Sequence, residues 1–332
     1  MVDETDFRKA AELINSSTEV LLTSHIRPDG DACGSVRATC DILANLGKKA
    51  HPVFLSPLAS WYEFLFNSKV PILGNDITKE QITAGYFERC DLVIIIDTNS
   101  YVQLPRLDEW LKQTKIKKLV IDHHITNDGL GDVELIDTTA AATGEIVLDL
   151  IKYADWPLTA HIAEALFVAL STDTGWFRFG NTDSRIFHCA AELIDAGARP
   201  NLLYGKMYQN FSPQRMKLMI RMLERLELHF DGRVATQCIM RSDFDETGAT
   251  GPDTENLIDE CQRLTSVEVA ALFVELADGQ FRCSLRSKKD VDVRQIAQKY
   301  GGGGHKVAAG LTLAGPFEKA RKTILNDIAE QM

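Results

Sequence analysis

The chain of 332 residues has 45% hydrophobic and 25% charged residues, which fits an ordinary globular protein of two domains. Its formal net charge of −11 argues against the broad basic face with which proteins coat long nucleic acid, so we expect no binding of long duplex DNA. No apolar run approaches membrane-spanning length and the first residues lack the pattern of a signal peptide, so we expect a cytoplasmic protein without membrane contact.

Helices and short apolar strands alternate through the first half of the chain. Strands are predicted at 19–24, 53–55, 92–96, 118–121 and 133–136, and helices at 7–14, 34–47, 141–154 and 159–172. Such alternation indicates βαβ units around a parallel sheet whose strands are buried on both faces. We therefore predict an α/β fold for residues 1–190, with a mainly parallel, Rossmann-like sheet.

The second half of the chain predicts a change of architecture. Residues 183–228 have an almost wholly helical pattern with a break at 197–200, and we assign 191–230 to a helical connector. Strands at 234–240, 267–276 and 280–286 and helices near 253–264, 292–299 and 316–330 follow. This mixture predicts a smaller C-terminal α+β domain over residues 231–332.

Histidine and aspartate follow three of the predicted strands in the first domain. Open α/β sheets bind their ligands outside the carboxyl ends of the strands, and buried carboxylates and imidazoles are costly unless a cation compensates. Each residue alone would be ordinary in a turn or as a helix cap. Chance, however, would have to place such residues in the same topological position at four separate segments. We predict one metal site, with ligands His25, Asp29, Asp31, Asp97, His123 and, in a loop after a helix, Asp173.

The residue types of this set indicate the kind of cation. Several carboxylates mixed with imidazoles suit Mn²⁺ better than a thiolate-rich zinc site or an all-oxygen magnesium site. Two cations would need a shared carboxylate, for which we select Asp97. Asp29 and Asp31 flank Gly30 in a predicted tight turn, and a helix beginning at Gly34 would aim backbone N–H groups at the same place.

The seven cysteines are scattered and include no CxxC pair, so neither a zinc cluster nor a disulfide framework is indicated. Cys33 differs from the other six because it lies inside the predicted metal loop. We expect its thiol near the site and partly exposed.

Four segments resemble the motifs of the DHH phosphoesterase superfamily, in their order along the chain. Residues 25–35 resemble the first motif, Asp97-Thr98 the second, Asp122-His123-His124 the third, and Asp173-Thr174-Gly175 the fourth. In addition, Ser284-Leu285-Arg286-Ser287 and the glycine-rich run 301–310 resemble the DHHA1 domain. The resemblance therefore spans nearly the whole chain, with a DHH domain followed by a DHHA1 domain.

The resemblance implies a role for each residue of these motifs. Two divalent cations are implied as cofactors, with Mn²⁺ favoured. The first cation would bind to His25, Asp29 and Asp97, and the second to Asp31, Asp97, His123 and Asp173. His124 would contact the reacting phosphate or its leaving oxygen, and Asp122 would orient a neighbouring histidine.

The C-terminal glycine run is predicted to hold a phosphate. Successive glycines cost backbone entropy, but they allow backbone N–H groups to approach a phosphate closely. His305 would act as a directional donor, and Arg286 could bind the same phosphate through two hydrogen bonds. A glycine-rich hairpin or linker is the structural alternative. The predicted substrate-binding residues are Arg286, Ser287, Gly302, Gly303, Gly304 and His305.

Within the superfamily, the chain most resembles the NrnA-like group, which degrades very short oligoribonucleotides and removes the 3′-phosphate of 3′-phosphoadenosine 5′-phosphate (pAp). This resemblance implies a phosphohydrolase in which a hydroxide bridging two metals attacks phosphorus, with short oligoribonucleotides or pAp as substrate. Two alternatives stay open: a phosphodiesterase for cyclic or linear dinucleotides, and a non-catalytic nucleotide-binding regulator. The regulator is disfavoured because every expected metal ligand is present. A homodimer is compatible with the sequence.

Overall fold

The computed structural model describes residues 2–209 and 211–332, which form two compact units that divide at Phe211. The first unit contains strands β1 (Glu19–Ser24), β2 (Lys49–Pro52), β3 (Leu92–Ile96), β4 (Lys117–Asp122) and β5 (Val133–Ile136). Its helices are α1 (Glu4–Ser16), α2 (Gly30–Asn45), α3 (Lys79–Thr83), α4 (Asp108–Gln113), α5 (Thr143–Tyr153), α6 (Ala160–Asp173), α7 (Ser184–Asp195) and α8 (Pro200–Tyr208). Two 3₁₀ helices, Ser60–Leu65 and Tyr101–Gln103, complete it.

The five strands of the first unit form a parallel sheet in the order β2-β1-β3-β4-β5. The central strand β3 (LVIII) is buried along its whole length, as expected for a parallel strand that is covered on both faces. The strand order reverses between β1 and β3, and in such sheets the crevice outside the carboxyl ends at this point is where ligands bind. The predicted α/β fold with a mainly parallel sheet is confirmed.

The start of α2 differs from the prediction, because the helix begins at Gly30 and not at Gly34. The side chain of Asp29 caps it by accepting hydrogen bonds from the N–H groups of residues 31 and 32, so the predicted tight turn is the first turn of a helix. The glycines allow α2 to approach α6 closely, since a Cβ atom at Gly34 would lie 2.4 Å from the carbonyl oxygen of Ala165. Strand β2 also ends before the predicted 53–55, where Phe54 instead donates its N–H to Pro71 O.

The second unit contains strands β6 (Glu227–His229), β7 (Val234–Ile239), β8 (Val269–Glu275), β9 (Gln280–Ser287), β10 (Gly303–Gly304) and β11 (Ala308–Ala314). Its helices are α9 (Pro213–Glu224), α10 (Arg241–Thr247), α11 (Val293–Gln298) and α12 (Phe317–Ala329), with 3₁₀ helices at Gly251–Thr254 and Leu257–Arg263. The sheet order is β10-β11-β9-β8-β7-β6, in which β7 and β8 are parallel and the other pairs antiparallel. The predicted C-terminal α+β domain is confirmed, and the structure shows that its sheet is mixed.

Apolar clusters cover both faces of this second sheet. On one face Phe273 packs with Val293 and Ile324, and on the other Leu272 packs with Leu218 and Leu257. The predicted helix at 253–264 is instead two short 3₁₀ helices, because the chain turns through a left-handed conformation at residue 256, where φ is 55°. Helix α10 and strands β6, β10 and β11 were missed, and β6 begins at residue 227, inside the stretch predicted to be helical.

The helical part of the chain, residues 184–224, contains α7, α8 and α9, with α8 in the first unit and α9 in the second. The domain limits at 190 and 230 stay predictions. Among residues 2–209 and 211–332, no helix is both long enough and apolar enough to cross a membrane. The cytoplasmic location and the lack of membrane contact likewise stay predictions.

Candidate metal centre

The predicted metal ligands converge outside the carboxyl ends of β1, β3 and β4. Three groups form, and within each group one ligand atom per residue lies within 4.8 Å of the others. The groups are His25 with Asp29 and Asp97, Asp31 with His123 and Asp173, and Asp97 with His123 and His124. Asp173 is the last residue of α6 and not part of a following loop. All six predicted ligands are thus brought together, and their assignment to cations stays a prediction.

Asp97 lies between the other members of the cluster. Its Oδ2 is 3.4 Å from His25 Nε2 and its Oδ1 is 3.7 Å from His123 Nε2. The backbone of Asp97 is left-handed, with φ of 64°, which is uncommon for a residue other than glycine and turns the chain sharply at the end of β3. Such conformations cost free energy and concentrate at functional sites. The position is that expected of a carboxylate shared by two cations.

His123 faces carboxylates from three different segments of the chain. Its Nε2 atom lies 3.4 Å from Asp173 Oδ2 and 3.9 Å from Asp31 Oδ2, in addition to its approach to Asp97. Its Nδ1 atom lies 3.2 Å from the carbonyl oxygen of Ala140, and a carbonyl oxygen only accepts hydrogen bonds. Nδ1 therefore carries the proton, which leaves Nε2 as the atom that can bind a metal.

Asp122 and His124 form a hydrogen-bonded pair beside the cluster. Oδ1 of the fully buried Asp122 accepts from the Nδ1 atom of His124 at 2.7 Å and from its backbone N–H at 3.2 Å. Burial would lower the pKa of His124, but the hydrogen bond to Asp122 and the nearby charge of Asp97 raise it to about 9. The structure therefore places Asp122 where it fixes the ring of His124.

The carboxylates of the cluster carry more negative charge than the buried site can hold without a cation. Burial and the neighbouring carboxylates raise the pKa of Asp31 well above its ordinary value, and burial is the main reason that the pKa of Asp173 rises to about 7. Burial also tends to raise the pKa of Asp97, but the hydrogen bond from His25 and the nearby imidazoles lower it. A divalent cation would relieve this repulsion. The oxygen and nitrogen donors present therefore fit the divalent cations that the resemblance to the DHH superfamily implies.

Cys33 is not a residue of this site. Its side chain is fully buried in the core cluster of the first unit, and burial raises the pKa of its thiol well above the ordinary value. Because α2 begins four residues earlier than predicted, Cys33 lies on the helical face that also carries Val36 and Leu43. The expectation of a partly exposed thiol is wrong.

The predicted substrate-binding residues of the second unit lie on neighbouring strands of its sheet. Arg286 pairs with Ala308, and residues 303 and 304 of β10 pair with residues 310 and 309 of β11. The guanidinium of Arg286 contacts Asp259 through Nε at 3.3 Å and donates from Nη1 to the Leu285 carbonyl. Ser287 is nearly buried, and among the described residues its hydroxyl has no hydrogen-bond partner. His305 is exposed.

The glycines of this run have a steric reason in the fold. A Cβ atom at Gly302 would lie 2.2 Å from the carbonyl oxygen of Gly310, and one at Gly304 would lie 2.4 Å from that of Ala308. The run thus forms part of a tight hairpin between β10 and β11, which agrees with the alternative prediction of a glycine-rich hairpin. Its role in binding phosphate stays a prediction.

A segment that the sequence analysis missed also contacts the cluster. The N–H groups of Thr143 and Gly144, at the start of α5, donate to Asp31, and the hydroxyl group of Thr143 donates to Asp97. Backbone donors leave little signal in a sequence, and a Thr-Gly pair is too short a pattern to indicate a metal site.

Comparison with known proteins identifies the family. The model of the DHH family, N-terminal domain, matches residues 19–170, and that of the DHHA1 domain matches residues 231–332. The chain belongs to the DHH/DHHA1 family. The predicted membership is confirmed, and the chain is accordingly a phosphoesterase, a hydrolase that acts on ester bonds.

Individual relatives cover most of the chain. A protein of Thermus thermophilus named bifunctional oligoribonuclease and PAP phosphatase NrnA is 29% identical over 98% of this chain and 94% of its own length. The cyclic-di-AMP phosphodiesterase PdeA of Listeria monocytogenes is 25% identical over 89% of this chain, but over only 44% of its own length. The crystal structure of an exopolyphosphatase-related protein from Bacteroides fragilis superposes with a TM-score of 0.90 at 20% identity, covering 99% of this chain and 97% of that one. That similarity shows a common fold.

Proposed function

We propose that this chain is a metal-dependent phosphohydrolase for short oligoribonucleotides and pAp. The observation that carries the proposal is the convergence of the six predicted Asp and His ligands, together with His124, at one edge of the sheet, with Asp97 in two of the three groups. The name of the Thermus relative supports the choice of substrates. The proposed cofactors are two divalent cations, with Mn²⁺ favoured by the mixture of oxygen and nitrogen donors.

The residues divide between the two proposed cations as the groups of the cluster suggest. His25 and Asp29 would hold the first cation, the second would be held by Asp31, His123 and Asp173, and Asp97 would be shared. When bound, such a pair supplies Lewis-acid stabilisation of phosphoryl oxygens and lowers the pKa of water. The protein fixes the ligands beforehand, through hydrogen bonds from imidazoles to carbonyl groups and from N–H groups to carboxylates.

His124 is the proposed proton donor to the leaving oxygen. Asp122 engages its Nδ1 atom at 2.7 Å, so the proton that is transferred would come from Nε2. The side chain of His124 is 32% exposed, whereas that of Asp122 is fully buried, so the histidine can be reached by a substrate while its partner remains shielded. A carboxylate on Nδ1 also keeps the ring in one orientation during the transfer.

The second unit is proposed to hold the other phosphate of the substrate. Arg286 is a quarter exposed and keeps one guanidinium edge on Asp259, which leaves a charged, oriented donor group beside the glycine hairpin. His305 and the backbone N–H groups of residues 303 and 304 would add further donors, whereas the N–H of Gly302 already donates to the Ala297 carbonyl.

A dinucleotide phosphodiesterase is the second candidate function. The similarity to the Listeria phosphodiesterase, which covers 89% of this chain, supports it. The same metal centre would serve either reaction, so the two candidates differ in substrate and not in mechanism. A homodimer stays a prediction.

The test compares substrates on the same enzyme with Mn²⁺ present. The substrates are pAp, a diribonucleotide, a five-residue oligoribonucleotide and a cyclic dinucleotide. Hydrolysis of each is measured for the wild type, for Asp97→Asn and for the exposed control Asp245→Asn. We expect hydrolysis of pAp and the short oligonucleotides, its loss in Asp97→Asn, and wild-type rates in the control. Rapid cleavage of a cyclic dinucleotide with no activity on pAp would favour the second candidate, and no hydrolysis of any substrate would contradict both.

A further inference from the structure

The first residues of α5 and the segment just before it contact three of the proposed metal ligands. Thr143 donates its backbone N–H to Asp31 Oδ2 at 2.6 Å, and its hydroxyl group donates to Asp97 Oδ1 at 2.9 Å. The N–H of Gly144 donates to the other oxygen of Asp31 at 3.0 Å. A few residues earlier, the Ala140 carbonyl oxygen lies against His123 Nδ1.

We propose that Thr143 is a positioning residue that holds Asp31 and Asp97 in the arrangement needed to bind two cations. The inference rests on the proposed function, because it concerns the same metal centre. Thr143 is not itself a proposed ligand. It acts through two carboxylates that belong to different elements, one in the first turn of α2 and the other after β3.

Burial makes these contacts consequential. Thr143 and Asp31 are fully buried, and Asp97 is 2% exposed, so water cannot replace a lost hydrogen bond. Two buried carboxylates repel each other, and a single residue that donates to both sets the distance and orientation between them. Removing a residue that hydrogen-bonds to metal ligands, without binding the metal itself, typically lowers metal affinity or activity about 10- to 100-fold.

The start of α5 explains why the backbone donors are directed at Asp31. The first N–H groups of a helix have no acceptor within the helix, and a side chain just before the helix usually satisfies them. Here that position is Ala142, which has no acceptor in its side chain. Asp31 takes this role from 112 residues away in sequence, so the same carboxylate caps α5 and faces the metal centre.

The segment is anchored from its outer side, so its position does not depend on Thr143 alone. Arg185 donates to Asp137 at 3.0 Å and contacts Glu145, which in turn accepts the N–H of Ala141. Asn181 donates to the Ala141 carbonyl at 3.2 Å. A change of the Thr143 side chain is therefore expected to act locally on the bond to Asp97.

Two variants distinguish the contribution of the Thr143 hydroxyl group to metal binding from that of the rest of the residue. Thr143→Val keeps the branched shape and the backbone N–H but removes the hydroxyl group, whereas Thr143→Ser keeps the hydroxyl group and loses a methyl. Thr143→Ala serves if the valine variant does not fold. Thr83→Val is the matched control, because Thr83 is exposed on α3 and donates only to the helix backbone.

The experiment measures Mn²⁺ binding to the metal-stripped chain by calorimetry, together with the Mn²⁺ concentration that gives half-maximal hydrolysis of pAp. We expect affinity to fall about 10- to 100-fold in Thr143→Val, to change less than about threefold in Thr143→Ser, and to remain unchanged in Thr83→Val. Excess Mn²⁺ should restore much of the rate of Thr143→Val, which a purely structural defect would not allow.

Wild-type affinity in both Thr143→Val and Thr143→Ala, or equal losses in the serine and valine variants, would overturn the inference while leaving the proposed function intact. A wild-type chain that binds no Mn²⁺, Co²⁺ or Mg²⁺ and hydrolyses no substrate would instead contradict the proposed function, and the inference with it.

Discussion

Replacing Arg286 with alanine is expected to lower kcat/KM for substrates that carry a second phosphate and to leave it nearly unchanged for substrates that do not. Arg286 lies on β9 of the second unit, where its side chain is 25% exposed and one edge of its guanidinium contacts Asp259 at 3.3 Å. Loss of a charge-assisted contact to phosphate costs about 1.5–3 kcal/mol, which is the usual range for a hydrogen bond to a charged group. This range corresponds to a fall of roughly 10- to 100-fold in kcat/KM for pAp or a dinucleotide.

The assay follows kcat/KM for pAp, for a 5′-phosphorylated diribonucleotide, which also carries a second phosphate, and for bis(p-nitrophenyl) phosphate, with Mn²⁺ in excess. The generic ester lacks a second phosphate, so its slow hydrolysis should change less than about threefold in Arg286→Ala. Arg263→Ala, which removes an arginine that is 78% exposed on the neighbouring 3₁₀ helix, controls for the loss of a positive charge and should leave all three rates unchanged. His305→Ala should resemble Arg286→Ala.

Equal losses on all three substrates would refute the reasoning, because they would show that Arg286 supports the fold or the metal centre itself. Asp259→Asn refines the test. If Asp259 orients the guanidinium, the asparagine variant should lose less than Arg286→Ala but show the same selectivity for substrates with two phosphates.

Four other perturbations test separate parts of the account. His124→Ala should keep its metal content and lose about 10²-fold or more in kcat, whereas loss of bound Mn²⁺ in this variant would show that His124 is a ligand. Removal of metal by a chelator should abolish hydrolysis, and Mn²⁺ or Co²⁺ should restore more activity than Mg²⁺ or Ca²⁺ does. Burial would raise the pKa of Asp137, but hydrogen bonds from Thr139 and Arg185 lower it from 3.8 to about 2, so this residue stabilises the fold above pH 3.8 and the contribution is lost as the pH falls towards 2. Asp137→Asn should therefore lower the free energy of unfolding by about 2 kcal/mol at pH 7 and by much less near pH 2, as measured by urea unfolding. Gly34→Ala should destabilise the first unit by about 1–3 kcal/mol, because its Cβ atom would overlap the Ala165 carbonyl, and an unchanged melting temperature would contradict that packing argument.

The sequence predicted the parallel sheet because its inner strands β1, β3 and β4 are largely buried on both faces and therefore contain apolar runs, such as Leu92–Ile96. It also predicted that His25, Asp97 and His123 would meet, because the carboxyl ends of adjacent parallel strands lie at one edge of a sheet. These inferences need only local patterns and a general rule of topology.

Other features depend on contacts that a sequence pattern does not contain. The start of α2 was misplaced because Asp29 and Gly30 are common in turns, and only the close approach of α6 shows why glycine is needed inside a helix. That error also placed Cys33 in a loop. Thr143 was missed because its role depends on backbone N–H groups that point at a carboxylate 112 residues away. Strand β11 was missed because the glycine run was interpreted mainly as a phosphate loop, although buried and exposed residues alternate from Ala308 to Ala314.

The number of Mn²⁺ ions bound per chain tests the central claim most directly. Metal-stripped wild type and Asp97→Asn are dialysed to equilibrium against Mn²⁺, and bound metal is measured by inductively coupled plasma mass spectrometry. If Asp97 is shared by two cations, the wild type should bind about two Mn²⁺ per chain and Asp97→Asn should bind fewer than about one. Two ions in both proteins would show that Asp97 is not the shared ligand, and an absence of bound metal from the wild type would contradict the two-cation account.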